Sequence, residues 1–212
     1  MLKKPPRTDG EYNEYVKDFY RKIEEYDWNY VVDNNIGLES FLHKYRRKKT
    51  LKLMKRYAHR GAILDAGCGT GLMLRELPAG SIGIDINPRN VAKAKKYVPQ
   101  AIIEEGDVES LPFNNNSFDT VLCTEVLEHL VLPERAVNEF RRVLKPGGYL
   151  IGSIPTPSLI WHFRFLSSTH YHNEPFHSEF LKRDIQKILH PFSRVQLYRY
   201  CFLPMIFFVA KN

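Results

Sequence analysis

The fold is decided by residues 63–71, which read Ile-Leu-Asp-Ala-Gly-Cys-Gly-Thr-Gly. A short apolar run, interrupted only by Asp65, leads directly into a turn that contains Gly67, Gly69 and Gly71. Because glycine has no Cβ and tolerates positive φ angles, such a turn lets the backbone approach a ligand closely. The stretch therefore predicts a buried strand, a ligand-binding turn and the start of a helix.

The spacing of the three glycines argues against a nicotinamide-binding turn. That turn reads G-x-G-x-x-G, whereas the glycines here stand at every second position and follow an acid, Asp65. A carboxylate at the mouth of the turn opposes a pyrophosphate and suits a cationic ligand. The ligand of this turn is therefore expected to carry positive charge.

Outward from the turn, short apolar runs alternate with helical segments, which is typical of a parallel sheet. The expected strands are 62–66, 81–86, 101–104, 118–124 and 148–154. The expected helices lie after Gly71, at 87–96 and at about 133–144, where Lys145–Gly148 closes the last one. After a helix at about 178–189, strands 194–200 and 205–210 are too closely connected to be parallel. The order predicts an α/β fold with a Rossmann-like, doubly wound, seven-stranded sheet, mostly parallel with an antiparallel last strand.

Two further acids follow the next strands of this predicted sheet. Asp85 ends the second strand, where an acid can accept hydrogen bonds from both ribose hydroxyls. Asp107 follows the third strand and can accept from an exocyclic amine such as that of adenine. Because the carboxyl ends of parallel strands share one edge of the sheet, Asp65, Asp85 and Asp107 should line one crevice. Together they describe a ligand with an amine, a ribose and an adenine.

These residues resemble the class I S-adenosylmethionine-dependent methyltransferases, in particular a small-molecule and quinone-type O-methyltransferase branch, from Ala62 to the C-terminus. The resemblance rests on the glycine turn, on residues 84–88, 106–108 and 144–148, and on the antiparallel pair at the end. It implies S-adenosylmethionine as the cofactor and methyl transfer as the activity.

At the methionine end of the cofactor, the resemblance implies contacts from both sides of the glycine turn. Asp65 would lie near the ammonium, and Gly67, Cys68 and Gly69 would pass under the methionine part. Thr124 would supply a backbone contact there. Either Arg46 or Arg47 would bind the carboxylate of the cofactor, and Arg46 is the preferred candidate.

At the adenosine end, the resemblance implies that Asp85 holds the ribose and Asp107 the adenine amine. The backbone N–H of Val108 would meet a ring nitrogen, and Ile86 and Leu111 would lie on the two faces of the ring.

The segment after the fourth strand contains the candidate for acid–base chemistry. His129 is the candidate catalytic base, because an imidazole with an unperturbed pKa of about 6.5 is neutral and basic at pH 7. It can equally serve only to hold the loop. If the segment is helical, Glu125, Glu128 and His129 share a face, as in some quinone O-methyltransferases that hold a metal there; we predict no metal here. The turn lacks the Asn/Asp-Pro-Pro-Tyr/Phe motif of amino-group methylases and the Pro-Cys of cytosine C5 enzymes.

Composition places this site in one globular domain with a separate N-terminal cap. The chain has 212 residues, 43% of them hydrophobic, and three widely spaced cysteines that favour a reducing, cytoplasmic location. Residues 1–60 are predicted to form a helical lid, residues 61–212 the cofactor-binding domain, and residues 155–177, rich in histidine and aromatic residues, an insertion that builds the acceptor pocket. The most apolar stretch, 202–210, is about half the ~20 residues that span a bilayer.

The formal charge of +7 is unevenly distributed, since residues 43–60 contain nine Lys or Arg and no acid. A basic helix admits nucleic acid as a partner, although charge runs are commonly solvated helix faces. The preferred prediction is methyl transfer to a small or lipid-like acceptor, on oxygen. An RNA methyltransferase and a non-catalytic cofactor-binding regulatory subunit remain as alternatives.

Overall fold

The structure, a computed structural model, describes residues 9–23, 27–58, 61–156, 178–200 and 205–212. Nearly all of the predicted acceptor-pocket insertion lies outside these ranges, including its four histidines, His162, His170, His172 and His177. Cys201 also lies outside them.

A seven-stranded sheet forms the centre of the described chain. Its strands are β1 Ile63–Ala66, β2 Ile82–Asp85, β3 Ile102–Glu105, β4 Phe118–Thr124, β5 Leu144–Pro155, β6 Arg194–Arg199 and β7 Met205–Lys211. Their order across the sheet is β3-β2-β1-β4-β5-β7-β6. The first five strands pair in parallel, and β7 runs antiparallel to both β5 and β6. The predicted fold class and the antiparallel closing pair are confirmed.

Helices cover both faces of the sheet. They are α1 Asp9–Lys22, α2 Trp28–Asp33, α3 Gly37–Tyr57, α4 Pro88–Tyr97, α5 Pro133–Val143 and α6 Lys182–Ile188. Successive strand residues point to opposite faces, so Val121 packs on the α5 and α6 side while Leu122 packs on the α3 and α4 side. Two apolar cores therefore hold the sheet between them. Because Leu53 and Met54 of α3 join one of these cores, α3 is a covering helix of the sheet.

The segment after Gly71 differs from the prediction of a helix. Only Leu74–Glu76 is helical, as a single 3-10 turn. Leu77 is extended, with φ −93° and ψ 158°, because the following Pro78 disfavours the helical conformation for the residue before it. The glycine turn is thus followed by a short compact connection.

Strand β5 begins at Leu144, earlier than predicted, and includes residues 145–148 that were assigned to a helix-closing turn. The side-chain amide of Asn212 donates to the Leu144 carbonyl at 2.9 Å, and the Gly147 N–H donates to the Asn212 carbonyl at 3.1 Å. This extension depends on contacts with the end of the chain, which a local sequence pattern cannot reveal. Helix α6 also begins later than predicted, at Lys182 and not near residue 178.

Gly152 should be the glycine of the sheet that is least tolerant of a side chain. A Cβ at this position would overlap the Cys123 carbonyl on β4 and the Phe208 ring on β7. We expect Gly152→Ala to lower the free energy of unfolding by about 1–3 kcal/mol, as overpacked cores do. Thermal unfolding followed by circular dichroism measures this as a drop of about 2–4 °C per kcal/mol.

Gly10→Ala in α1 is the matched control, because a Cβ there meets nothing within 4 Å. Its melting temperature should equal or exceed that of the wild-type chain, since alanine is the better helix former. Equal melting temperatures for the two variants would contradict the close packing at Gly152.

No helix in the described ranges combines the length and the apolar character that crossing a membrane requires.

Candidate active site

The candidate site lies along the carboxyl ends of β1, β2, β3 and β4. The glycine turn follows β1, Asp85 ends β2, Asp107 follows β3 and Thr124 ends β4. These strands are neighbours in the sheet, so the predicted acids lie along one crevice, as the sequence indicated.

The glycine turn wraps around the end of β2. The N–H groups of Gly67 and Cys68 donate to the Ile84 carbonyl at 2.8 and 2.9 Å, and the Gly69 N–H donates to Oδ2 of Asp85 at 2.8 Å. Gly69 has a φ of +53°, and a Cβ built on it meets nothing within 4 Å. The turn is therefore held by hydrogen bonds to the end of β2, and it leaves space beside Gly69.

Asp85 is the carboxylate that organises this turn. Besides the Gly69 N–H, it accepts the Asn87 N–H at 2.9 Å and the Asn90 side-chain amide at 3.3 Å on Oδ1. Burial raises the pKa of Asp85, while the backbone N–H donors of Asn87 and Gly69 oppose that rise. Its orientation is set by three donors before any ligand is considered.

Asp65 is buried on β1 with one oxygen unused. Its exposed fraction is 1%, and its Oδ2 has no hydrogen-bond partner among the described residues. Burial, followed by the charge of Asp85, raises the pKa of Asp65 to about 7, while the charge of Arg46 lowers it. A buried carboxylate of this kind is costly unless a cation pairs with it, so Asp65 fits the ammonium of a ligand.

The structure distinguishes the two candidate arginines of α3. Arg46 reaches the end of β4, where its Nη1 lies 3.4 Å from Oε2 of Glu125, and its buried Nε has no partner in the described ranges. Arg47 instead pairs with Glu76 at 3.3 Å. Since the charge of Arg46 also acts on Asp65, Arg46 is the one of the two arginines that lies near this carboxylate.

Helix α1 crosses the crevice from the end of β3 to the end of β4. At one side, Lys17 Nζ lies 2.7 Å from Oδ2 of Asp107. In the middle, the Asn87 side-chain amide donates to the Tyr20 carbonyl at 3.1 Å. At the other side, the Tyr20 hydroxyl lies 2.9 Å from Nδ1 of His129. These contacts place α1 over the strand ends.

Helix α2 holds the glycine turn from outside. The fully buried Asn29 donates through Nδ2 to the Thr70 carbonyl at 2.5 Å and to its hydroxyl at 3.1 Å, and accepts from Arg75 at 3.0 Å. The sequence reasoning missed Asn29, Lys17 and Tyr20 as site residues. No local signal marked Lys17, since it lies beside the stripe of α1 that buries Tyr12 and Val16, where lysines commonly lie along an apolar surface with the ammonium in solvent.

The remaining predicted residues occupy the expected strand ends with differing exposure. Ile86 is partly exposed at the end of β2, whereas Val108 and Leu111 belong to the apolar core. The Cys68 side chain is buried beside Gly83, so the thiol is packed into the core and only its backbone faces the turn. Thr124 is buried at the end of β4.

Of the three residues after β4 that share a predicted face, Glu128 and His129 lie together, with Oε1 4.0 Å from Nε2, whereas Glu125 has other partners. Glu125 accepts from the Ser153 hydroxyl at 3.1 Å and pairs with Arg46, whereas His129 contacts Tyr20. Across the part of the chain that the structure describes, no three His, Cys, Asp or Glu side chains are placed to hold a metal ion.

A family described as "Methyltransferase domain" matches residues 64–152, which run from β1 to β5. A protein of Mycolicibacterium smegmatis named "Probable S-adenosylmethionine-dependent methyltransferase" is 34% identical over 125 residues, covering 56% of this chain and 48% of that protein. A ubiquinone biosynthesis O-methyltransferase of Cereibacter sphaeroides is 38% identical over 98 residues, covering 43% of this chain and 40% of the relative. The chain thus spans about half or less of the length of these relatives.

The fold agrees with a solved structure over nearly its whole length. The crystal structure of a SAM-dependent methyltransferase from Thermotoga maritima superimposes with a TM-score of 0.68 and 21% identity, covering 93% of this chain and 98% of that one. The names of the Mycolicibacterium smegmatis and Thermotoga maritima proteins both state dependence on S-adenosylmethionine. The residues present fit it, because the orphaned Asp65 oxygen suits an ammonium and Asp85 is preoriented at the end of β2.

Proposed function

We propose that this chain, which carries a methyltransferase domain of the S-adenosylmethionine-dependent class, transfers a methyl group to an oxygen atom of a small or lipid-like acceptor. One observation carries the proposal: Asp65, Asp85 and Asp107 stand at the ends of three adjacent strands beneath α1, with an unused, buried oxygen on Asp65. This set matches the ammonium, ribose and adenine of the cofactor in that order.

When bound, S-adenosylmethionine supplies a methyl group activated on a sulfonium, together with its own leaving group. The protein therefore has mainly to hold cofactor and acceptor in line, an effect worth up to about 7–11 kcal/mol. In this proposal Asp65 binds the ammonium, Arg46 the carboxylate, and the backbone of residues 67–69 lies beneath the methionine part. Thr124 closes this end with a backbone contact.

At the adenosine end, Asp85 accepts from the ribose hydroxyls and Asp107 from the adenine amine. Val108 offers its backbone N–H to a ring nitrogen, and the partly exposed Ile86 and the buried Leu111 flank the ring. The three donors that orient Asp85 support this role, since its carboxylate need not reorganise when the ribose binds.

His129 is the proposed base for a hydroxyl acceptor. In this role its Nδ1–H donates to the Tyr20 oxygen, 2.9 Å away, and its Nε2 takes the acceptor's proton. The buried Glu128 carboxylate, with Oε1 4.0 Å from Nε2, would stabilise the imidazolium that forms. The named O-methyltransferase relative supports oxygen as the acceptor atom.

Nucleic acid is the less favoured acceptor because α3 uses several of its basic residues within the fold. Arg46 pairs with Glu125 and Arg47 with Glu76, while the Lys49 ammonium lies 4.0 Å from the centre of the Tyr200 ring. The basic run is thus partly structural, which reduces the charge available to phosphates.

The test is calorimetric titration with S-adenosylhomocysteine, followed by incubation with S-adenosylmethionine and acceptor classes in separate arms. The arms contain hydroxyl-bearing phenols and lipids, amines, thiols and RNA, and the readout is S-adenosylhomocysteine released above the no-acceptor background. We expect binding, and release with the hydroxyl arm.

Each other result has a distinct meaning. Release with RNA alone, falling steeply with salt, would replace the proposal with an RNA methyltransferase. Binding without release in any arm, together with copurification of another chain, would indicate a non-catalytic subunit. No binding of S-adenosylhomocysteine would overturn the proposal altogether.

A further inference from the structure

Lys17 of α1 is buried between two carboxylates at the end of β3. Its Nζ lies 2.7 Å from Oδ2 of Asp107 and 3.0 Å from Oε2 of Glu109, and its side chain is 10% exposed. Glu109 also accepts from the Asn13 side-chain amide at 2.9 Å, and Glu14 lies 3.7 Å from the same ammonium. Burial opposes the charge on Lys17, but the hydrogen bonds and charges of Asp107 and Glu109 outweigh it and raise the pKa of Lys17.

The two carboxylates differ in access to the crevice. The Glu109 side chain is 2% exposed, whereas that of Asp107 is 20% exposed and keeps an open edge. Oδ1 of Asp107 accepts the Glu109 N–H at 2.9 Å, and Oδ2 takes the Lys17 ammonium. One donor on each oxygen fixes the plane of this carboxylate, and each oxygen retains a lone pair for a further donor.

We propose that Lys17 is a positioning residue for base recognition: its ammonium orients Asp107 so that the cofactor's exocyclic amine is selected over a carbonyl oxygen. The inference rests on the proposed function, since it concerns the carboxylate assigned there to the adenine amine. It extends the cofactor site to α1, which lies outside the segment matched by the methyltransferase family.

The physical basis is the charge balance of this cluster. Without the ammonium, Asp107 and Glu109 face each other across a poorly solvated gap, and Asp107 loses the donor that fixes Oδ2. Repulsion from Glu109 then favours rotation of Asp107, and a rotated carboxyl group no longer rejects a carbonyl. Selectivity for an amine therefore depends on Lys17 as well as on Asp107.

The experiment compares two ligands by calorimetry, S-adenosylhomocysteine and its inosyl counterpart, in which a carbonyl replaces the exocyclic amine. For the wild-type chain we expect a preference for the adenosyl ligand of at least about tenfold, as sites built to accept a hydrogen bond give. In Lys17→Met the preference should fall by at least about fivefold, and Lys17→Arg, which keeps the charge, should restore most of it.

Lys22→Met is the matched control, because Lys22 is on the same helix, 75% exposed and paired only with Asp18 among the described carboxylates. It should keep the wild-type preference. If Lys17→Met folds poorly, the double variant Lys17→Met/Glu109→Gln removes the uncompensated buried charge and its repulsion. It should still lose part of the preference, because Oδ2 of Asp107 keeps no donor from α1.

Two results would overturn this inference alone. Equal weakening of both ligands in Lys17→Met, with the preference unchanged, would mean that Lys17 only docks the lid. Tighter binding of S-adenosylhomocysteine in that variant would mean that the ammonium competes with adenine for Asp107. A wild-type chain that binds neither ligand would overturn the proposed function and this inference together.

Discussion

An Asp65→Asn variant is expected to be more stable than the wild-type chain at pH 8 and to bind S-adenosylhomocysteine at least about tenfold more weakly. Both effects have one cause. Asp65 is a buried carboxylate with an orphaned oxygen, and its pKa is raised to about 7 chiefly by burial. At alkaline pH the wild-type chain must bury the negative charge of Asp65, which lowers its stability. The ammonium of the ligand pairs with that charge, so the same carboxylate strengthens binding.

The effect on stability has a defined pH dependence. An unfolded aspartate ionises near pH 3.9, whereas folded Asp65 holds its proton up to about pH 7. Between these values the folded state binds more protons, so the contribution of Asp65 to stability falls as pH rises and stays low above pH 7. The advantage of Asp65→Asn should therefore be near zero at pH 4 and reach roughly 1–3 kcal/mol at pH 8, measured by urea unfolding.

Ligand binding should show the complementary dependence. Below pH 7 the Asp65 carboxyl must release a proton before it can pair with the ammonium, so wild-type affinity should weaken as pH falls from 8 to 6. The affinity of Asp65→Asn should be flat over the same range. Calorimetry in buffers of different ionisation enthalpy detects the released proton directly.

Asp119→Asn is the control at the opposite end of the sheet. Asp119 lies near the start of β4, where its Oδ2 is 2.7 Å from Nζ of Lys145. The hydrogen bond from Lys145 lowers the pKa of Asp119. This substitution should lower stability at pH 8 and leave ligand affinity within about twofold. An Asp65→Asn variant that is less stable than wild type at pH 8, or that binds normally, would contradict the assignment.

Asp65 also illustrates how much of the site the sequence could predict. The predicted acids lie at the ends of adjacent strands. Their positions could be predicted because residues close together in the chain determine the strand pattern and the glycine turn. Short apolar runs between helical segments predicted the five parallel strands within a few residues, and the short connection between the last two strands predicted their antiparallel pairing. The sequence did not predict the order of the strands across the sheet, which the structure gives as β3-β2-β1-β4-β5-β7-β6.

What the sequence could not predict depends on contacts between distant segments. The extension of β5 to Leu144 pairs with Phe118 and is bonded by Asn212, and the pairing of Lys17 with Asp107 requires α1 to dock 90 residues away in the chain. The pKa of Asp65 follows from burial beneath covering helices, which no local pattern shows. Lys17 lies next to an apolar stripe, but its partner could only be identified once the helix was placed.

The Asp85→Asn variant is expected to lose cofactor affinity by about a hundredfold, the equivalent of roughly 3 kcal/mol. Hydrogen bonds to a charged acceptor contribute about 1.5–3 kcal/mol each, and Asp85 is assigned two ribose hydroxyls. Calorimetric titration with S-adenosylhomocysteine measures the loss. Asp119→Asn again serves as the control, since it makes the same change in charge away from the crevice.

A ligand lacking the ribose 2′-hydroxyl separates recognition from misfolding. The wild-type chain should bind this ligand about tenfold more weakly than S-adenosylhomocysteine, whereas Asp85→Asn should distinguish the two by less than about threefold. If the variant keeps the full wild-type distinction, Asp85 does not bind the ribose, whatever its effect on affinity.

The same substitution should have opposite effects on stability at the two neighbouring carboxylates. Asp65 has an oxygen that accepts from no donor within the described segments, so an amide relieves a buried charge. Asp85 accepts N–H groups from Gly69 and Asn87 on its two oxygens, and an amide must turn its NH₂ toward one of those donors. Asp85→Asn should therefore lower the free energy of unfolding by about 1–3 kcal/mol, the cost of an unsatisfied buried donor. Burial raises the pKa of both groups, so only their hydrogen-bond partners can produce this difference in sign.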